Sequence, residues 1–256
     1  MNASLLRWFL LALAFGPLAA AGDFEQVKAL AEKGDADAQN AVGKAYFNGE
    51  GAPRDYLKAA EFFRKAASQG NGKAQNNLGL LYANGLGVAK DEAEAVKWYR
   101  EAAGQGDAGA ERALGELYYF GDEGVGRDYA EAFKWLSKAG AHGNAWSENA
   151  LGVMFQHGLG VKQDEKEAVE WFRKAAEQGE VKAQSNLGQM YAQGSGVERD
   201  KMQAYAWLSM AAGKGEITAQ KYLADLRRFL TDAEIAQGRR MAAEYRGRIQ
   251  RSGETR

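Results

Sequence analysis

The pair Leu-Gly, followed three residues later by Tyr, recurs along this chain. It occurs as Leu78-Gly79 with Tyr82, Leu114-Gly115 with Tyr118, and Leu187-Gly188 with Tyr191. Leu151-Gly152 with Phe155 and Val42-Gly43 with Tyr46 are close variants, and the five glycines stand 36, 36, 37 and 36 residues apart. Self-similarity at such a period is the mark of a repeat architecture, in which one unit cannot bury its own apolar faces and neighbours must stack.

Each unit carries the same punctuation. An apolar segment runs into a G-x-G-V loop: Gly85-Leu86-Gly87-Val88, Gly158-Leu159-Gly160-Val161 and Gly194-Ser195-Gly196-Val197, with Gly49-Glu50-Gly51-Ala52 as a variant. The third unit has one extra residue, Gly121-Asp122-Glu123-Gly124-Val125, which accounts for the spacing of 37. An aspartate follows at a fixed offset: Asp55, Asp91, Asp128, Asp164 and Asp200. Three residues later stand Glu94, Glu131, Glu167 and Gln203, with Lys58 breaking the pattern in the first unit. That spacing predicts a helix start with a capping box, the Asp accepting from a free N–H and the Glu or Gln reaching back.

The helix so opened carries Ala-x-x-Trp: Ala95 and Trp98, Ala132 and Trp135, Ala168 and Trp171, Ala204 and Trp207, with Ala59 and Phe62 in the first unit. A further alanine four residues on marks one helical stripe. Gly70, Gly106, Gly143, Gly179 and Gly215 suit the left-handed stop, and Asn71, Asp107 and Asn144 are placed to cap the next helix. Each unit therefore reads as a helix hairpin. The Leu-Gly glycine falls mid-helix, where it costs about 1 kcal/mol relative to Ala; its recurrence implies that a helix packs hard against it.

The string L-G-x-x-Y, G-x-G-V, D, A-x-x-W, K-A-A, G at this period resembles the Sel1-like repeat family, relatives of the tetratricopeptide repeats with a longer loop inside the hairpin. The resemblance covers about residues 38–219. It implies an all-α, right-handed α/α solenoid. The expected organisation is a signal peptide at 1–21, a leading half-repeat helix at 22–37, and repeats at 38–73, 74–109, 110–146, 147–182 and 183–218. Capping helices and a basic tail fill 219–256. Within that tail, Ala219–Arg228 reads as a closing first helix, and Thr231-Asp232-Ala233-Glu234 as a capping box opening a helix to about Ile249. The resemblance also implies scaffolding and recognition. Bacterial relatives serve as exported adaptors in signalling, envelope assembly, host contact or neutralisation of periplasmic effectors. Some cysteine-rich relatives are linked to β-lactam binding or hydrolysis, but this chain has no cysteine.

The N-terminus has the layout of a secretory signal. One positive charge in Met1–Arg7 precedes an apolar run from Trp8, the breaker pair Gly16-Pro17 and an A-x-A site ending at Ala21, with Ala20 as the alternative. The stretch Trp8–Ala21 is shorter than the roughly 20 residues that span a bilayer. Periplasmic localisation is expected, with secretion as the alternative. The formal net charge of −1 gives no case for a nucleic-acid binder, which should carry a basic stripe. From Leu226 onward, however, eight arginines face four acids. These read as a solvated face and helix ends; the competing reading is an anionic partner or surface.

Chemistry is sparse. His142 and His157 are the only histidines and have no carboxylate at ligand spacing. Ser195 lies in the repeat loop and lacks the G-x-S-x-G setting. The expectation is a protein with no catalytic, metal or cofactor residues, binding another protein, with no requirement for membrane association. A hydrolase acting on cell-wall or β-lactam substrates is the alternative. Docking candidates are aromatics that depart from the repeat pattern: Phe47 and Tyr119, one place after the framework tyrosine, Phe120 beside Tyr119, and Trp146 near the start of a first helix. Filling of gaps between units is the competing reading, favoured for Phe47.

Overall fold

The computed structural model describes residues 21–121 and 124–254. The leader expected at 1–21 lies, except for Ala21, outside the described residues, as does the Asp122-Glu123 insertion. The described residues are all-α. The helices are α1 (Ala21–Glu32), α2 (Ala36–Asn48), α3 (Tyr56–Ser68), α4 (Gly72–Asn84), α5 (Glu92–Gly104), α6 (Ala108–Phe120), α7 (Tyr129–Ala141), α8 (Ala145–His157), α9 (Glu165–Glu177), α10 (Val181–Gln193), α11 (Lys201–Gly213), α12 (Ile217–Arg227) and α13 (Asp232–Glu254). They form two compact units, one ending at Arg127 and the other beginning at Asp128. Within each unit, consecutive helices from α1 to α6 and from α7 to α12 pack on one another, the stacking of helical hairpins that defines an α-solenoid. No described helix is long and apolar enough to cross a membrane.

Helix boundaries follow from the punctuation. Asp55, Asp91, Asp128, Asp164 and Asp200 are N-caps, each accepting from the N–H three residues on. The capping box is only half made. In four units the aspartate N–H donates to the carbonyl of the framework aromatic instead: Asp55 to Tyr46, Asp91 to Tyr82, Asp164 to Phe155 at 2.9 Å and Asp200 to Tyr191 at 3.1 Å. The long loop folds back onto its own first helix, so the glutamate has no cap donor to satisfy. Glu94 accepts from Lys97 instead. Thr231 and Glu234 do form the full box, with Thr231 N–H donating to Glu234 at 2.7 Å and Glu234 N–H donating back at 3.3 Å.

The mid-helix glycines are explained by packing inside the hairpin. A Cβ on Gly43 would lie 2.5 Å from the Phe63 ring, on Gly79 2.8 Å from Tyr99, on Gly152 2.6 Å from Phe172 and on Gly188 2.7 Å from Leu208. The partner is thus the residue after the Ala-x-x-Trp tryptophan. Phe63, Phe172 and Leu208 are sealed in the core, while Trp98 and Trp171 are only half-buried. Burying a side chain such as Phe172 contributes about 1.5–3 kcal/mol.

Stacking between repeats uses a second glycine, the G of G-V. A Cβ on Gly87 would lie 2.2 Å from the Tyr56 carbonyl oxygen, on Gly160 2.3 Å from that of Tyr129, and on Gly196 2.1 Å from that of Glu165. Each loop therefore seats on the first turn of the preceding unit's second helix. A buried glutamine adds a polar tie: Gln39, Gln75 and Gln184 donate to the carbonyls of Ala31, Ala67 and Ala176.

The last helix departs from the pattern. α13 does not complete a hairpin with α12 but packs chiefly on α11 and reaches α9. Gly238 lies against Tyr205 and Ile249 against Gly179. It runs to Glu254, past the expected end near Ile249.

Candidate functional site

In the first unit the ends of the first helices carry Phe47 on α2 and Tyr119 and Phe120 on α6, with Leu80 on α4. Leu80 is 38% exposed and Phe120 59% exposed. Tyr119 is half-buried and meets Phe120 edge to face, with ring centroids 5.0 Å apart. Arg127 Nε donates to the Phe120 carbonyl at 3.1 Å, holding the helix end. The local cause is the extra residue of this repeat. Gly121 adopts φ 69°, ψ 154°, where Gly49, Gly85, Gly158 and Gly194 are left-handed with ψ near 30°. The chain leaves α6 in a different direction from the other first helices. Arg112 pairs with Glu116 on the same helix.

The other candidates divide. Phe47 rests edge to face on Tyr56 at 5.4 Å and packs against the buried core, so it fills a gap between helices. Trp146 is half-buried at the start of α8, in the second unit. Leu80 was missed because a leucine beside the Leu-Gly pair reads as framework. Its exposure depends on which side of the helix the hairpin covers, and spacing alone does not give that.

His142 is the C-cap of α7 and exposed; His157 ends α8, also exposed. Among the described residues no group of three or more His, Cys, Asp or Glu could hold a metal ion. Ser195 sits in its loop, its N–H donating to the Met190 carbonyl. The perturbed groups have structural causes. The Lys58 N–H holds the Asp55 carboxyl below its usual value, and burial pushes the Tyr99 phenol up.

The second unit contains a cleft of about 460 Å³ between the end of α13 and the fourth hairpin. Glu148, Lys174, Gln178, Trp207, Tyr245 and Arg248 line it. Tyr245 stacks on Trp207 at 4.5 Å, and its hydroxyl donates to Gln203 Oε1 at 2.7 Å.

The hairpin with a glycine clasped by the second helix, the folded-back loop and its seat on the preceding unit recur at one period. The Sel1 repeat profile matches residues 36–71, 72–107, 108–144, 147–180 and 181–216. The chain belongs to the Sel1 repeat family. It is similar to a Sel1 repeat protein from Oxalobacter formigenes at 36% identity, over 83% of this chain and 86% of that one, with a TM-score of 0.70. It is also similar to c5321, a protective antigen of uropathogenic Escherichia coli with the same repeat fold. That match is 28% identical, with a TM-score of 0.64, and covers 97% of this chain but 64% of the other. Among curated proteins none matches. Sel1 repeats are protein-interaction modules, and the family is in general a non-catalytic binding fold.

Proposed function

We propose that this chain is an exported, non-catalytic scaffold that holds another protein in the bacterial envelope, through aromatic side chains of its first helices. The observation that carries the reading is Phe120, which stands 59% exposed on a first helix with Tyr119 edge to face behind it. A large aromatic supported by a second ring is the usual form of an interface anchor, since burial of such a side chain dominates contact energetics. In the second unit Trp146, half-buried at the start of α8, is the other candidate anchor. Its partner is a protein in the periplasm, reached after cleavage at Ala21.

The test is capture from native envelope fractions by the purified chain, with mass spectrometry of what is retained. A specific partner is expected, with loss of at least about tenfold in affinity for Phe120→Ala. Full retention by both Phe120→Ala and Trp146→Ala would remove these side chains from the proposal. Export is checked separately. Cell fractionation and N-terminal sequencing should find the chain in the periplasm beginning at Gly22, and a cytoplasmic chain beginning at Met1 would refute it.

A further inference from the structure

Tyr205 on α11 holds two arginines on one oxygen. Arg227, the last residue of α12, and Arg239 on α13 each donate to its hydroxyl at 3.4 Å. The framework tyrosines Tyr82, Tyr118 and Tyr191 receive one arginine each. The second cation at Tyr205 comes from α13, which folds back over α11. Tyr205 itself is fixed. It is 2% exposed, and a Cβ on Gly238 would lie 2.6 Å from its ring. Accepting twice uses both lone pairs of the hydroxyl and leaves its own proton to donate. Among the described residues that proton has no acceptor, and neither guanidinium forms an ion pair.

The surrounding charges do not compensate the pair. Neither α10 nor α11 carries an acid, and Asp200, just before α11, serves as its N-cap. From Lys221 to Arg240 the corner between α12 and α13 has five cations against three carboxylates. Of those carboxylates, Asp225 faces Arg228 at 3.9 Å, and Glu234 accepts from the Thr231 N–H and hydroxyl. Asp232 lies about two turns before Arg239 on α13. Lys201 adds a further cation, donating to the Phe229 carbonyl at 3.1 Å.

We propose that Arg227, Arg239 and the Tyr205 hydroxyl form a binding site for a phosphate group. A phosphate oxygen accepts the Tyr205 proton, and the other oxygens take the two guanidinium forks. A phosphate dianion offsets both positive charges, where a carboxylate offsets one, and its tetrahedral oxygens meet donors from three directions. The phosphate is carried by a soluble ester or by a phospholipid headgroup. Phe229, 69% exposed two residues after Arg227, stands beside the site on the same turn. The site uses none of the aromatic docking residues, so it stands or falls apart from the scaffold reading.

The probes are inorganic phosphate and glycerol 3-phosphate, titrated into the purified chain by calorimetry in low-salt buffer. Saturable binding is expected. Arg227→Gln and Arg239→Gln, both at exposed positions, should each weaken it about tenfold or more. Arg240→Gln removes the same charge from the next position of α13, about 100° around the helix, and should leave binding as it was. Sedimentation with phosphatidylglycerol vesicles separates the two sources. Vesicle binding lost in Arg239→Gln and reduced in Phe229→Ser assigns the phosphate to a lipid headgroup. Binding of glycerol 3-phosphate without vesicle association assigns it to a soluble ester. Absence of binding to phosphate, ester and vesicles alike, at millimolar phosphate, overturns the proposal. So does unchanged affinity in both Arg227→Gln and Arg239→Gln, or an equal loss in Arg240→Gln.

Discussion

Arg100 donates to the hydroxyl of Tyr118 at 2.8 Å, from the second helix of one repeat to the framework tyrosine of the next. Arg64 makes the same bond to Tyr82 at 3.1 Å, and Arg173 to Tyr191 at 3.3 Å. The exception is informative. In the fourth repeat the framework aromatic is Phe155, which has no hydroxyl, and the corresponding residue of the third repeat is Ser137. For the framework aromatics of the second to fifth repeats, arginine is present where there is a hydroxyl to receive it. Tyr118→Phe should therefore cost about 0.5–1.5 kcal/mol, the net worth of one hydrogen bond. Phe155→Tyr alone should gain nothing, and Ser137→Arg with Phe155→Tyr should show positive coupling in a double-mutant cycle read by urea denaturation. Simple additivity of the two would refute the pairing.

Glycine-to-alanine changes should separate by position. In a helix interior the exchange ordinarily gains about 1 kcal/mol. At Gly152 the new Cβ would lie 2.6 Å from the Phe172 ring, so Gly152→Ala should instead destabilise by about 1–3 kcal/mol through overpacking. Gly104 ends α5 with nothing within 4 Å of its added Cβ, and Gly104→Ala should be neutral or stabilising by up to about 1 kcal/mol. Thermal denaturation of the two variants gives shifts of opposite sign if the clasp is real.

The hairpin, its caps and its stops were legible in the sequence because each rests on a residue with local conformational consequences. Asp55 and its equivalents take the N-cap, and Gly70, Gly106, Gly143, Gly179 and Gly215 adopt positive φ. What did not show was tertiary. That the glutamate does not reach back depends on the first-helix carbonyl that takes the aspartate N–H instead. The caps Glu180 and Glu216 use a residue seldom found at that position. The cleft exists because α13 folds back on α11, which nothing local dictates. The residues proposed for docking, Tyr119 and Phe120, were selected by their departure from the repeat pattern. That same criterion also selected Phe47, whose ring is taken up by Tyr56.

Acid should loosen the array through its caps. The Lys58 N–H lowers the Asp55 pKa, and the Thr231 N–H lowers that of Glu234. For Glu216 burial pushes upward but is outweighed by hydrogen bonds from Ala219, Thr218 and Ser185, and the net shift is downward. A folded-state pKa below the unfolded value means stability present above the unfolded carboxylate pKa, about 4, and lost as pH falls through the folded one. Denaturation midpoints should be flat near neutrality and drop below about pH 4. Glu234→Gln should reduce that slope, and an unchanged slope would show the cap contributes nothing.

The final helix should report its own detachment. Tyr245 lies flat on Trp207, with an interplanar angle of 18°, and bonds Gln203 through its hydroxyl. Ala242 is 1% exposed, and Gly238 leaves no room for a side chain over Tyr205. Trp207, at 4% exposed, owes its burial in part to this helix. Tyr245→Ala removes a stacked, half-buried aromatic and its hydrogen bond, and should destabilise by less than the roughly 3–5 kcal/mol of a fully buried aromatic truncation. Tyr245→Phe keeps the stack and should cost only about 0.5–1.5 kcal/mol. Tryptophan emission should shift to the red for Tyr245→Ala and stay in place for Tyr245→Phe. Gly238→Leu should act at the other end of the helix, forcing it away from Tyr205, and should produce the same red shift with Tyr245 intact. Emission unchanged in both Tyr245→Ala and Gly238→Leu would mean that α13 does not shield Trp207, and the cleft it borders would lose its wall.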